Sequence, residues 1–368
     1  MSLPNELTIG FVRRGFSSGG AEAYLKRLGA GVAAAGHDVV LFTAAQWPAG
    51  EWNFGRIVRV KESSAIGFAD ALEKLASDHC DVLLSLERVW RCDVYRAGDG
   101  VHRAWLERRN EIAGPLQKLS RFLNRKHSAA LELEEALLKN GGARRVIANS
   151  QMVRDEIIRF YGYPAAQIDI VYNGLPLDAF QRNEQDRSTV RHGLGLTDEE
   201  IVVLFAGSGW ERKGLRFAIA AVKQNGDTKL IVAGRGETQK FSSSRAQFLG
   251  IFPDMPSLYR AADIFLLPTI YDPFSNASLE ALAAGLPVIT TKANGFSEII
   301  ETGRHGTVVD NAQNIEALSA AIQFWSDRDR RGQAQLDNIA LAARFDISTN
   351  VAETLRIVDQ IAARAAST

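Results

Sequence analysis

Short apolar runs alternate along the chain with longer amphipathic stretches, the rhythm of strand and helix in turn. Leu7–Val12 reads as a strand, the spacing predicts a helix over 20–35 stopped at Gly36, and 38–43 reads as the next strand. Ile57–Val60, a helix near 66–78 and a strand at 81–85 continue the pattern. In the stretch 93–102 that follows, Asp99 and His102 read either as a placed polar cluster or as a polar turn after a strand. Then come a helix over 129–139 stopped by Gly141 and Gly142, a strand at 145–150, a helix over 152–161 ended by Gly162, and a strand at 168–172 with Asn173-Gly174 as its turn. Strands joined through helices imply an α/β fold with parallel sheets.

Residues 181–189 are polar, without strand or core signal, and mark the boundary between a first domain, 1–180, and a second, 181–345. The second half restarts the same architecture. Ile201–Phe205 is a buried strand, then a helix runs through Lys223 and strands follow at 229–233 and 247–250. A helix over 255–262 precedes the strand 264–268, and helices at 314–326 and 349–364 close the chain. Between them Tyr271–Thr291 reads as loop, short helix, sharp stop and strand. Ser275 or Asn276 is placed to cap its helix, and Leu279, Leu282 and Ala283 share one face. Gly285 with Pro287 is a C-terminal stop.

A length of 368 residues fits two domains, and 46% hydrophobic with 23% charged residues is the composition of a globular protein. Net charge is zero, so no overall field points to nucleic acid. No basic-then-apolar leader and no run of about eighteen apolar residues is visible, which implies a cytoplasmic protein. Cys80 and Cys92 form no metal-ligand pattern and read as reduced thiols. One stretch departs from this balance. Between Arg103 and Lys126 seven Lys or Arg face two acids, with Trp105, Leu106, Phe122 and Leu123 interleaved. Its part 116–126 reads as a basic amphipathic helix, suited to the anionic inner face of a membrane or to an ordinary basic surface.

Candidate chemistry collects in loops after strands. The loop 13–22, with Gly19 and Gly20, opens a helix whose free N–H groups favour anions or polar groups. Its glycines do not have the dinucleotide spacing, which disfavours a nicotinamide or flavin. Asp99 sits between two glycines with His102 three residues on. In the second half, Gly207-Ser208-Gly209 followed by Arg212 and Lys213 suits a pyrophosphate. Ser275, Asn276 and Ala277 start a second anion-binding helix end, with Glu280 one turn inside to accept from a ribose and Asp272 further out to hold a sugar hydroxyl. The single Asp-x-Asp, Asp327-Arg328-Asp329, reads as solvated surface, so Arg212, Lys213 and helix ends replace a metal ion. No cofactor is expected.

Gly19-Gly20, Asn149-Ser150, Tyr172-Asn173-Gly174, Arg212-Lys213-Gly214 and Asp272–Glu280 with Ala281–Val288 together resemble the retaining glycosyltransferases of family 4, in the family's order over nearly the whole chain. The resemblance implies the GT-B fold: two facing Rossmann-like domains, the first for the acceptor, the second for a nucleotide-sugar. The last segment, 346–368, would return to the first domain. Asp93-Val94-Tyr95, Ala97, Asp99 and Tyr271–Asn276 are most similar to the branch that adds glucose to a heptose of the lipopolysaccharide core. By this resemblance Arg212 and Lys213 contact the donor diphosphate, Glu280 the ribose and Asp272 the transferred sugar. Gly19 and Gly20 would face the diphosphate and acceptor. Asp272 stands where the family has Glu, and Asp99 where many members have His, so Asp99 and His102 are alternatives for the group over the sugar.

The expected activity is metal-independent transfer, with retention, of a hexose such as glucose from UDP-glucose to a glycolipid. A GT-B enzyme using another nucleotide-sugar, such as GDP-mannose, shares every motif. A nucleotide-dependent oxidoreductase lacks its glycine fingerprint here, and a non-catalytic sugar-binding protein would not need Arg212, Lys213 or Asp99.

Overall fold

The computed structural model describes residues 6–365 apart from 17–18, 46, 49, 113–124, 181–183 and 242. It divides into two compact units, Met1–Gly174 with Ile347–Thr368, and Leu175–Asp346.

The first unit is built on β1 (Thr8–Val12), α1 (Gly20–Ala34), β2 (Asp38–Thr43), β3 (Arg56–Arg59), α2 (Ala65–Leu75) and β4 (Val82–Ser85). It continues through β5 (Cys92–Arg96), α3 (His102–Ile112), α4 (Arg125–Leu138), β6 (Ala143–Ala148), α5 (Gln151–Tyr161) and β7 (Ile168–Ile170). Its seven strands lie in the order β3-β2-β1-β4-β5-β6-β7, every pair parallel. Ile9, Phe11 and Val12 are buried on β1, an interior strand, as a sheet covered on both faces requires.

The second unit holds α6 (Glu184–Gly193), β8 (Ile201–Ala206), α7 (Trp210–Lys213), α8 (Leu215–Lys223), β9 (Thr228–Ala233) and β10 (Ala246–Gly250). After these come α9 (Met255–Ala261), β11 (Ile264–Leu267), α10 (Asn276–Ala283), β12 (Val288–Thr291), β13 (Gly306–Val309), α11 (Ile315–Trp325) and α12 (Arg328–Ala342). Its six strands, again all parallel, run β10-β9-β8-β11-β12-β13. The last helix, α13 (Ile347–Ala365), belongs to the first unit. Its Val351, Ile357, Val358 and Ile361 share a core with Leu25, Leu28 and Val32 of α1. The two helices meet at Gly31, where a Cβ would stand 2.5 Å from a Val351 methyl.

Three segments differ from the sequence reading, and a fourth lies mostly outside the described residues. Cys92–Arg96 is a buried strand that the sequence reading did not place, and the turn at Gly98-Asp99 follows it: Asp93 accepts from the Leu83 N–H, and the Arg96 guanidinium lies 4.3 Å from the centre of the Tyr24 ring. Residues 184–193 form a helix instead of an unstructured boundary. The reason is Arg191, which is fully buried and donates to the carbonyls of Thr197, Glu200 and Ala261 and to Asp263. Asp327, Arg328 and Asp329 are exposed, as expected, but Asp327 caps a fifteen-residue helix that the sequence reading did not place, α12, by accepting from the Arg330 N–H at 2.9 Å. Of the expected basic helix 116–126, residues 113–124 lie outside the described residues and Arg125 begins α4.

Strand order reverses between β1 and β4 in the first sheet and between β8 and β11 in the second. Open α/β sheets bind ligands beyond the carboxyl ends of strands at these switch points. The loops that matter therefore follow β1, β4, β8 and β11.

Candidate functional site

In the second unit, the β8 loop is fixed before it presents any charge. Trp210 is buried against Phe248 and Phe241, and its indole N–H donates to the Gly207 carbonyl at 3.0 Å. Residues 210–213 form one helical turn, where the sequence suggested open loop. Gly214 follows with φ +80°, and a Cβ there would stand 1.9 Å from the Pro268 carbonyl oxygen, so only glycine fits. That approach brings the β8 and β11 loops together. The Arg212 carbonyl accepts from the Ile270 N–H and the Thr269 hydroxyl, both at 2.9 Å. The Arg212 guanidinium donates to the Tyr271 carbonyl at 3.3 Å, and Lys213 Nζ forms an ion pair with Asp272.

Both partners of that pair are largely withdrawn from water, Asp272 at 4% exposure. Burial lowers the Lys213 pKa, while the Asp272 carboxylate acts against the loss of charge. Asp272 is held in turn by the loop after β12: its N–H donates to the Ala293 carbonyl and its carbonyl accepts from the Gly295 N–H, each at 2.9 Å. Asn294, fully buried, accepts from the N–H groups of Ser275 and Phe296 and donates to the Thr290 hydroxyl.

The start of α10 is capped by Ser275, whose hydroxyl accepts from the Ser278 N–H at 3.2 Å. Leu279, Ala281, Leu282 and Ala283 are buried, while Asn276, Ala277 and Glu280 are half-buried. Those three positions share one side of the helix, at its positive end. The Glu280 carboxylate accepts from the Tyr259 hydroxyl at 2.9 Å. Burial first, and then Glu280, push the Tyr259 phenol well above its ordinary range, so it remains a donor.

In the first unit, Arg13 leaves β1 and meets three carboxylates: Glu22 and Asp99 at 3.1 Å and Glu87 at 3.8 Å. Burial alone would disfavour the Arg13 charge, but Asp99, Glu87 and Glu22 outweigh it and push its pKa up. Glu22 also accepts from the Gly19 N–H at 3.2 Å, so the helix that begins at Gly20 carries its own carboxylate at its N-terminus. Asp99 and His102 have different partners. Asp99 faces Arg13, whereas His102 Nε2 stands 3.0 Å from His127 Nδ1 and the His102 backbone N–H donates to Glu134 at 2.7 Å.

Histidine ordinarily titrates near 6.5, and in the fold His102 is pushed down to about 4, first by burial and then by the Arg88 charge. A folded value below the unfolded one gives stability that is complete above about pH 6.5 and is lost as the pH falls toward 4. The melting-temperature gap between wild type and His102→Gln should therefore narrow across that interval. A gap that stays constant would contradict the assignment.

Arg13, Glu87 and Asn294 on these loops, and Tyr259 on α9, are residues that the sequence reading did not single out. The spacing of Gly19 and Glu22 is that of a helix-capping pair, and Asn294-Gly295 has the form of a turn. Tyr259 gives no such signal, because a tyrosine on an amphipathic helix reads as core.

Two family models match the chain, "Glycosyltransferase Family 4" over residues 18–179 and "Glycosyl transferases group 1" over residues 200–327. An uncharacterized glycosyltransferase of Methanocaldococcus jannaschii is 28% identical over 173 residues, 43% of this chain and 44% of that protein. The chain thus spans under half the length of that relative. Among solved structures, WaaG, a glycosyltransferase involved in lipopolysaccharide biosynthesis, aligns over 94% of this chain and 98% of its own with a TM-score of 0.79 at 21% identity. HepE of Anabaena, solved with UDP and glucose, aligns over 96% and 99% with a TM-score of 0.76 at 19% identity. These likenesses show the fold: parallel-sheet α/β units of the GT-B class.

Proposed function

The chain belongs to the group 1, family 4 glycosyltransferases, and on that premise we propose that it moves a hexose, glucose, from a UDP-sugar to a lipopolysaccharide-core or other glycolipid acceptor, with retention and without a metal ion. The observation that carries this reading is the Lys213–Asp272 pair, set on the two loops that flank the switch point of the second sheet. HepE bound to UDP and glucose supports the donor, and the lipopolysaccharide role of WaaG supports the acceptor class.

The chemistry follows from charge. As the glycosidic bond breaks, negative charge grows on the diphosphate and positive charge on the sugar ring. Arg212, Lys213 and the N–H groups at the start of α10 stabilise the first, which is the work a metal ion does elsewhere. Asp272 lies beside Lys213 and takes a hydroxyl of the transferred sugar. It also keeps Lys213 protonated against the pull of burial, so the cation is in place when the diphosphate arrives. In the first unit we take Asp99, held by Arg13, rather than His102 as the candidate group over the transferred sugar. Retention comes with the family, and the anomeric configuration of the product by NMR tests it: an inverted product would refute it.

Glu280 accepts from the ribose diol. Glu280→Gln is expected to raise the donor KM about tenfold or more, with a smaller change in kcat, because a bond to a charged group contributes about 1.5–3 kcal/mol. A change confined to kcat would contradict the role.

Peripheral association with an anionic membrane through residues 103–126 completes the proposal. In its described part Arg109 lies over Trp105 at 5.8 Å, while Arg108 is engaged by Glu156 at 2.6 Å. Among the described residues no helix is long and apolar enough to cross a membrane.

A further inference from the structure

We infer that Tyr259 is a positioning residue for the nucleoside end of the donor: its hydroxyl fixes the Glu280 carboxylate in the orientation that accepts from the ribose. This rests on the reading of Glu280 as the ribose ligand and adds the residue that makes that reading work.

Glu280 stands on the half-buried side of α10, on a side chain with several rotatable bonds. A carboxylate so placed samples several rotamers unless something holds it, and each one lost on binding weakens the ligand. The Tyr259 hydroxyl donates to Oε2 at 2.9 Å. A carboxylate offers about four lone-pair sites, so a bond from Tyr259 leaves capacity for a diol. The donor itself cannot drift. Tyr259 is fully buried on α9, with its ring 5.9 Å from that of Phe265 and 6.0 Å from that of Phe180. α9 in turn is anchored by the Asp254 cap on the Ser257 N–H at 3.2 Å. The tyrosine therefore passes the rigidity of the packed layer to a carboxylate at the edge of the site.

Its hydroxyl can be removed with little change in packing, since Tyr259→Phe keeps the ring. The test is a cycle between protein and ligand. Full-length wild type, Tyr259→Phe, Glu280→Gln and the double variant are titrated by calorimetry with UDP, GDP and ADP. The tightest of the three is then compared with its 2′-deoxy and 3′-deoxy counterparts. Wild type should lose about tenfold or more in affinity when the relevant hydroxyl is absent. Tyr259→Phe should bind the ribonucleotide about three- to tenfold more weakly, and most of that penalty should vanish with the deoxynucleotide. The double variant should bind no more weakly than Glu280→Gln alone.

A purely structural tyrosine gives the opposite pattern. Tyr259→Phe would then weaken ribo- and deoxynucleotide by the same factor, and its penalty would multiply with that of Glu280→Gln; either result overturns the inference while the ribose role of Glu280 stands. A wild type that binds ribo- and deoxynucleotide equally, or none of the three diphosphates, overturns the ribose reading and the inference with it.

Discussion

Lys213→Ala is expected to lower kcat by about two to three orders of magnitude, the usual loss when one charge-stabilising donor of a transition state is removed. The fold should register the change as well. Asp272 is 4% exposed and Lys213 is its ion-pair partner, so the variant leaves a carboxylate buried without its counter-charge. Breaking such a pair costs about 3–5 kcal/mol. The two effects separate in a second variant. Lys213→Ala with Asp272→Asn should recover much of the lost melting temperature and none of the lost turnover. Full turnover in Lys213→Ala, measured as nucleoside diphosphate release, would remove Lys213 from the mechanism. Recovery of turnover in the double variant would make its role structural.

The largest expected effect on stability lies away from the donor loops, at Glu134. This carboxylate is fully buried and accepts from Arg88 at 2.9 Å, the N–H groups of His102 and Arg103 at 2.7 and 3.2 Å, and the Tyr161 hydroxyl at 2.6 Å. It ties α3, α4 and α5 together and satisfies the first N–H groups of α3. Glu134→Ala strands the Arg88 charge and at least three other donors, at a cost of about 3–5 kcal/mol. Total stability of a domain is about 5–15 kcal/mol, so the first unit should melt many degrees lower. The neighbouring Glu135 provides the contrast. Its carboxylate pairs with Lys139 on the exposed side of the helix, and Glu135→Ala should leave the thermal transition where it is. Equal shifts for the two variants would mean that the Glu134 network carries no special weight.

What was legible in the sequence follows a physical rule. β8, β11, β12 and α10 announce themselves because their apolar runs are bounded by glycine, proline and a serine cap. β5, α6 and α12 do not. Asp93 and Arg96 in β5 and Arg191 in α6 put charges where a buried element is expected to be apolar. Each charge is accommodated by partners far along the chain, as with Arg191 and Ala261, seventy residues apart. Linear pattern carries no trace of such partners. The same holds for the candidate site. Lys213, Asp272 and Glu280 stand out because charge appears beside glycine or within an apolar helix. Arg13 meets Asp99 across eighty-six positions, and Tyr259 meets Glu280 across twenty-one, distances only the folded sheets close.

The central claim, transfer from a nucleotide-sugar without a metal ion, is tested most directly by following nucleoside diphosphate release from a panel of UDP-, GDP- and ADP-sugars, with and without EDTA. Release of UDP from UDP-glucose at an unchanged rate in EDTA is the expected result. Release from none of the sugars, or release that EDTA abolishes, would contradict the account.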